Sequence, residues 1–288
     1  MTYASLHHGR RVALCALVCC AALLSQRGLA AGEGVVLAPH RAVYELTLAS
    51  TRGQGMTSVA GRMAYELVGS ACEGYTQNMR FVTRMSYQNG NTTVADLRSS
   101  TFEDGLGTRF RFDSSQYRNE KSTEVTAGDA ARLGASDDVR VELTKPVKRT
   151  VSIPARVYFP VQHTIALIQA AKAGKTSFRA DLYDGSEKGE KVYDTVAALG
   201  HVLPPGNNRK LPEVGNADRL NGLRAWPISI AYYEPGSGGQ DALPIYEISF
   251  LMFENGVSRK LRIDYGEFAL EGELTSITFH EPSKCDVK

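Results

Sequence analysis

The chain has 288 residues, 43% of them hydrophobic and 22% charged, with a formal net charge of +2. That length is ample for a real core, and a near-neutral chain without a basic run argues against nucleic acid as a partner. No stretch approaches 18 consecutive apolar residues, so no transmembrane anchor is expected.

The N-terminus reads as an export signal. A basic pair, Arg10-Arg11, precedes an apolar run from Val12 to Leu24, and the small-residue stretch Gly28-Leu29-Ala30-Ala31 follows. The run is too short to span a bilayer, and the charged, apolar, small-residue order is that of a secretory signal peptide. Cleavage after Ala30 is expected, which makes residues 1–30 the signal and 31–288 the mature protein. Lipidation at Cys19 would need a small residue directly before it, and Val18 stands there. Removing 30 of the 288 residues leaves 258, with 30 basic residues against 31 acidic, a net charge of about −1. Cys15, Cys19 and Cys20 leave with the signal, so an oxidising compartment receives a chain with two cysteines, Cys72 and Cys285.

Period-2 alternation then dominates. Ala42, Tyr44, Leu46 and Leu48 share one face against Arg41, Glu45 and Thr47. Met63, Tyr65 and Leu67 alternate with Arg62 and Glu66, and Tyr75, Met79, Phe81, Met85 and Tyr87 oppose Asn78, Arg80 and Arg84. The pattern recurs at Phe110 and Phe112, at Val139 to Leu143, and at Val257, Leu261 and Ile263. One-sided alternation predicts antiparallel sheet with one face packed and one wet. Asn89-Gly90, Asp104-Gly105 and Asn255-Gly256 are hairpin dipeptides between such runs. Several runs are long enough to suggest strands that curl. Near the end the buried parity switches, from Phe268, Leu270 and Leu274 to Ile277 and Phe279, which predicts a bulge.

One segment breaks the pattern. Residues 160–173 open with proline, put Val161, Ile165 and Ile168 on one face and lead into Gly174, the start and stop signals of an amphipathic helix. Among about twelve expected strands, this helix should cover the open end or the inner face of the sheet. From Leu203 to Gly222 proline, glycine and asparagine without periodicity predict a long surface loop, or a flap. No linker divides the chain, so a single mainly β domain is expected. Bridging Cys72 to Cys285 would close a span of 213 residues, for which loop entropy gives roughly 5 kcal/mol as an upper figure. It would also pin the C-terminal tail to an early strand. Two free thiols or a redox pair are the alternatives, although redox pairs usually sit as Cys-x-x-Cys.

Catalytic and metal signals are weak. Gly174-Lys175-Thr176 lacks the earlier glycine of a phosphate loop and follows a helix, so a helix cap is the better reading. His280-Glu281 has no second histidine at zinc-protease spacing, and Pro282 would break such a helix. The four histidines of the mature chain, His40, His163, His201 and His280, are not paired at metal-ligand spacing. His163, near the helix start, suits a solvent-facing or packing role. Asp181, Asp184, Glu187 and Glu190, around Gly185 and Gly189, match a solvated turn better than a calcium loop. No catalytic residue, metal ligand or cofactor is expected.

A resemblance carries further. Pro39-His40-Arg41-Ala42-Val43-Tyr44, Gly61-Arg62-Met63 and Ser70-Ala71-Cys72-Glu73-Gly74-Tyr75 are similar to the EipB-like family of Gram-negative periplasmic envelope-integrity proteins. Phe81-Val82-Thr83, the stretch Val157 to Pro160 and Cys285 extend the likeness over the whole mature chain. The resemblance implies a periplasmic β-spiral: antiparallel strands rolled into an open cylinder, like the periplasmic lipoprotein carriers, with Cys72 and Cys285 bridged. It implies support of envelope integrity rather than a catalytic mechanism, through binding of an envelope protein, a lipid or a cell-wall component. A carrier of lipid or lipoprotein acyl chains is the alternative, and an enzyme of unrecognised type the third reading. The apolar face of the curled sheet would supply a groove, with Phe81, Phe110, Phe112, Leu261, Phe268 and, on the helix, Ile165 and Ile168 as candidates; ordinary core is the competing account for each.

Overall fold

Alternating strands joined by tight turns build one continuous sheet. The computed structural model describes residues 34–53, 55–134, 137–206, 211–236 and 242–285; the expected signal peptide at 1–30 lies outside them. In chain order the strands are β1 (His40–Thr51), β2 (Met56–Ser70), β3 (Gly74–Tyr87), β4 (Thr92–Glu103), β5 (Arg109–Arg118), β6 (Lys121–Arg132), β7 (Val139–Lys145) and β8 (Arg149–Ile153). After the helix α1 (Pro160–Lys172) come β9 (Ser177–Leu182), β10 (Tyr193–Leu199), β11 (Ala225–Tyr233), β12 (Tyr246–Phe253), β13 (Ser258–Asp264) and β14 (Phe268–Phe279). The 14-stranded sheet has the order β8-β7-β6-β5-β4-β3-β2-β1-β14-β13-β12-β11-β10-β9. Every pair is antiparallel, and only β1 with β14 joins strands distant in sequence.

The three hairpin dipeptides turn β3 into β4, β4 into β5 and β12 into β13. The expected bulge is present. Val43 pairs with Ser276 but Tyr44 with Leu274, so Thr275 is the extra residue and both Leu274 and Ile277 are buried. Two strands more than the sequence suggested are found, because short runs such as β8 and β9 alternate too briefly to stand out.

The two ends of the sheet overlap instead of pairing. Among the described residues no ladder joins β8 to β9. The chain before α1 is stitched to β9 instead: Tyr158 N–H donates to Asp181 O at 2.7 Å, and Tyr183 N–H to Tyr158 O at 2.9 Å. Under this overlap Phe110, Phe112, Phe159 and Tyr183 form a fully buried aromatic cluster, with centroids 5.0 Å apart for Phe110 and Phe159 and 5.8 Å for Phe112 and Tyr183. The β9–β10 turn, expected to be solvated, is docked onto this cluster. Gly185 has φ +74, and a Cβ there would stand 2.4 Å from the Phe112 ring, so the close approach requires glycine. Arg149 of β8 and Glu190 of the turn close the overlap as an ion pair.

α1 lies inside the roll. Val161, Leu167 and Ile168 are buried in one core with Leu67, Trp226 and Met252. Its N-terminus has no side-chain cap of its own. Instead the buried Glu103 carboxylate, at the end of β4, accepts the N–H groups of Val161 at 2.8 Å and Gln162 at 2.9 Å. These are two of the orphan donors at a helix start, where the helix dipole also favours negative charge. Gly174, with φ +73, lets the chain leave the helix, so the phosphate-loop-like triplet is a helix exit.

The stretch from Leu203 to Gly222, expected as a surface loop or flap, carries core. β13 pairs with β14 only between residues 261–264 and 269–272. Where the pairing stops, Ala217 and Leu220 are buried with Val257, Leu274 and Ile277, and Leu203 bridges to Ala225. Buried Arg259 holds the segment by donating to Pro212 O at 2.6 Å. The apolar residues here follow neither a helical nor a strand period, which is why sequence pattern alone left them outside the core.

Candidate functional site

Between α1 and the inner face of β1, β2 and β11–β13 the roll is incompletely filled. A cavity of about 260 Å³ remains, with Tyr44, Met63, Tyr65, His163, Phe250 and Leu261 among its walls. The same inward alternation that builds the core brings these side chains together. Ala42, Tyr44 and Leu46 are buried on β1, and their β2 partners are Tyr65, Met63 and Gly61.

The polar side chains that β1, β2 and α1 bring to the wall have partners. Tyr44 donates its hydroxyl to Ser258 O at 2.7 Å, and the Tyr65 hydroxyl accepts from Gln77 Nε2 at 2.9 Å. His40, also in the wall, lies with Nδ1 2.7 Å from Ala38 O. Thr195 donates its hydroxyl proton to Ala180 O at 2.7 Å, so His163 Nε2, 3.2 Å away, acts as the donor to Thr195 Oγ1. Burial governs the ionisation. It lowers the His40 pKa and brings that of His163 down to about 4, while Tyr44 is raised and Tyr65 is pushed up to about 12. Near neutral pH the wall carries no charge. Such a chamber suits an apolar or weakly polar guest.

Of the seven apolar residues singled out in the sequence, Leu261 reaches the cavity. Phe110 and Phe112 lie in the aromatic cluster under the overlap, and Ile168 is fully buried in the core around the helix, so these three are core rather than groove. Ile165 packs half-buried on that same core. Phe81 is half-buried behind the chamber wall, packed with Leu261 and Met63 without lining the cavity, and Phe268 lies 5.0 Å from the Tyr265 ring. Tyr44, Met63 and Tyr65 were on the inward face in the alternation, but phenylalanines alone do not mark a cavity. A buried tyrosine hydroxyl needs a partner, and two such tyrosines, Tyr44 and Tyr65, border the opening. His163 is in the packing role the sequence suggested.

Cys72 and Cys285 are bonded, with Cα atoms 5.8 Å apart. The bridge ties the β2–β3 turn to the tail after β14, where Ser283 N–H also donates to Gly69 O at 3.3 Å. Among the described residues no helix is long and apolar enough to cross a membrane.

Together these features define a barrel-like protein: one open antiparallel sheet rolled around a single helix, with a neutral chamber between them. The EipB-like family profile matches residues 31–281. The chain is 36% identical over 256 residues to the cell envelope integrity protein EipB of Brucella abortus (strain 2308), covering 88% of each chain. A crystal structure, that of the beta-barrel-like protein of domain of unknown function DUF1849 from Brucella abortus, superposes with a TM-score of 0.76 at 33% identity, covering 85% of this chain and 99% of that one. The chain belongs to the EipB-like family, as a homologue of a cell envelope integrity protein.

Proposed function

We propose that this protein works in the periplasm as a non-enzymatic binding protein that supports envelope integrity through contact with an envelope partner. The kinship to a cell envelope integrity protein supports the setting. The observation that carries the binding reading is the neutral chamber. Burial lowers the histidine pKa values, which weakens these rings as bases, and keeps the tyrosines protonated, while the two cysteines of the expected mature chain are oxidised, so these groups are not tuned for acid–base or nucleophilic work near neutral pH. At about 260 Å³ it is also smaller than the roughly 300–1,000 Å³ usual for ligand pockets. A chamber of that size leaves the outer surface as the place of contact.

The apolar lining, with Ile248, Phe250 and Met252, favours acyl-chain carriage as the second reading; it requires α1 to shift outward. Native mass spectra of the mature protein, purified from periplasm without detergent, separate the two. The binding reading expects a ligand-free mass together with a reproducible envelope partner on crosslinking. A bound mass that disappears on organic extraction would instead establish the carrier. Activity that vanishes with one polar substitution, while the fold is kept, would overturn both.

A further inference from the structure

The outer face of β1–β4 carries only arginine as its cations. From residue 34 to residue 120 the chain contains no lysine at all. On β1, β2 and β3 the side chains of Arg41, Arg62, Arg80 and Arg84 rim a shallow concavity of about 560 Å³, floored by small residues including Ala60 and Ala64. The register sets the rim. Arg62 pairs across with Val82, and Arg80 and Arg84 lie two residues to either side of Val82 on the same strand. Adjacent strands are about 4.8 Å apart, and two residues along a strand span roughly 6.7 Å, so the three guanidinium-bearing positions surround one spot.

Of the acids on this face, Asp96 lies beneath the rim, while Glu45, 45% exposed, borders the concavity and offsets part of its charge. Asp96 is only 13% exposed and lies beneath Arg80 and Arg98, which are 57% and 52% exposed and both 2.8 Å from it. Those guanidiniums hold its carboxyl below the usual carboxylate range, so Asp96 stays ionised as an anchor that fixes their forks. Glu45 takes Arg62. Arg41 and Arg84 make no ion pair among the described residues. Five arginines therefore stand against Glu45, Glu66 and Asp96, on a mature chain whose net charge is close to zero. The positive charge is local to this face.

We propose that this concavity docks the protein on the anionic phospholipid surface of an envelope membrane, with lipid phosphates seated among Arg41, Arg62, Arg80 and Arg84. Planar guanidinium forks match phosphate oxygens, and those of Arg41 and Arg84, which make no ion pair among the described residues, are available to a phosphodiester. The small-residue floor lets a headgroup approach the sheet. This names the envelope partner in the binding reading above and rests on that reading.

The test is co-sedimentation of the full mature protein with phosphatidylcholine vesicles, with and without phosphatidylglycerol. Binding is expected only with phosphatidylglycerol, to weaken with added salt, and to fall about thirtyfold in the Arg41→Gln, Arg84→Gln double variant. Among the described residues neither makes an ion pair, and a wild-type melting curve for the double variant checks the fold. Arg111→Gln, on β5 outside the concavity, is expected to bind as wild type. Equal binding to both vesicle types, or full binding by the double variant, overturns the inference, as does retention on polyglutamate without vesicle binding. Displacement from vesicles by inorganic phosphate at the salt control's ionic strength, beyond the effect of that salt, would assign the site to free phosphate and also overturns it. Loss of vesicle binding while crosslinking still recovers an envelope protein would sink the membrane inference alone and leave the binding reading standing.

Discussion

The overlap between the sheet ends and the chamber beside the helix are built from the same kind of alternating strand, yet they are packed to opposite standards. Under the overlap, aromatic rings meet at 5–6 Å, and glycines are required so that a turn can touch the Phe112 ring. Around the chamber, tyrosines and histidines reach across a gap and take their partners from backbone, amide and hydroxyl groups. A roll whose end strands do not pair, and whose overlap has only the short backbone stitch at Tyr158, relies on side-chain contact there. Looseness is tolerated where strand ladders already hold the wall. The interior is thus stiff at the overlap and yielding beside the helix.

The largest expected effect lies outside both regions and sets the scale. Cys72→Ser opens a loop of 213 residues and should lower stability by up to about 5 kcal/mol, read as a lower melting temperature in oxidising buffer. An unchanged melt would remove the bridge from any structural account. Next, Phe112→Ala should cost about 3–5 kcal/mol in denaturant titration, because the dry cluster cannot collapse around the void. Met63→Ala, beside an existing cavity, should cost less than half as much. Equal losses at the two positions would erase the contrast. Tyr65→Phe, which removes one partnered hydroxyl, should cost only about 1 kcal/mol.

A smaller effect tests the junction where the two regions meet, at the start of α1. Burial raises the Glu103 pKa to about 7, above its unfolded value of 4.5, so the fold favours the protonated acid. Its contribution is fullest below pH 4.5 and is lost as pH rises through 7. His163 does the reverse. Lowered to about 4 from 6.5, it contributes fully above pH 6.5 and loses that as pH falls toward 4. The two slopes oppose each other in the wild type. Glu103→Gln should leave the histidine's slope alone, so that melting temperature drops more steeply between pH 6.5 and 4.5 than in wild type. Parallel curves would show that Glu103 does not sense folding.

The sequence made the strands legible because each keeps one face wet. Arg41, Glu45 and Thr47 announce the buried side of β1, and the parity switch at Thr275 announces its bulge. The helix was legible to within a residue from Pro160 and Gly174. What could not be read were features made by distant partners. Glu103 caps a helix 58 residues away, and Leu220 fills a gap left where β13 and β14 part. The chamber was half legible. Its tyrosines lay on the inward face, but no pattern tells a packed inward face from one with room behind it.

The pairing of β1 with β14 has one more consequence. The chain's first strand finds its second neighbour only when its last strand exists, with Arg41 opposite Thr278. Contacts this far apart in sequence make folding slow. Until they form, β1 and β13 each present a bare edge, a template for pairing with another copy. A chain cut short before Phe268 would keep most of its hairpins but carry that edge permanently. Quality control of this protein therefore rests on β14, and forms shortened before it are expected to aggregate rather than persist as smaller rolls.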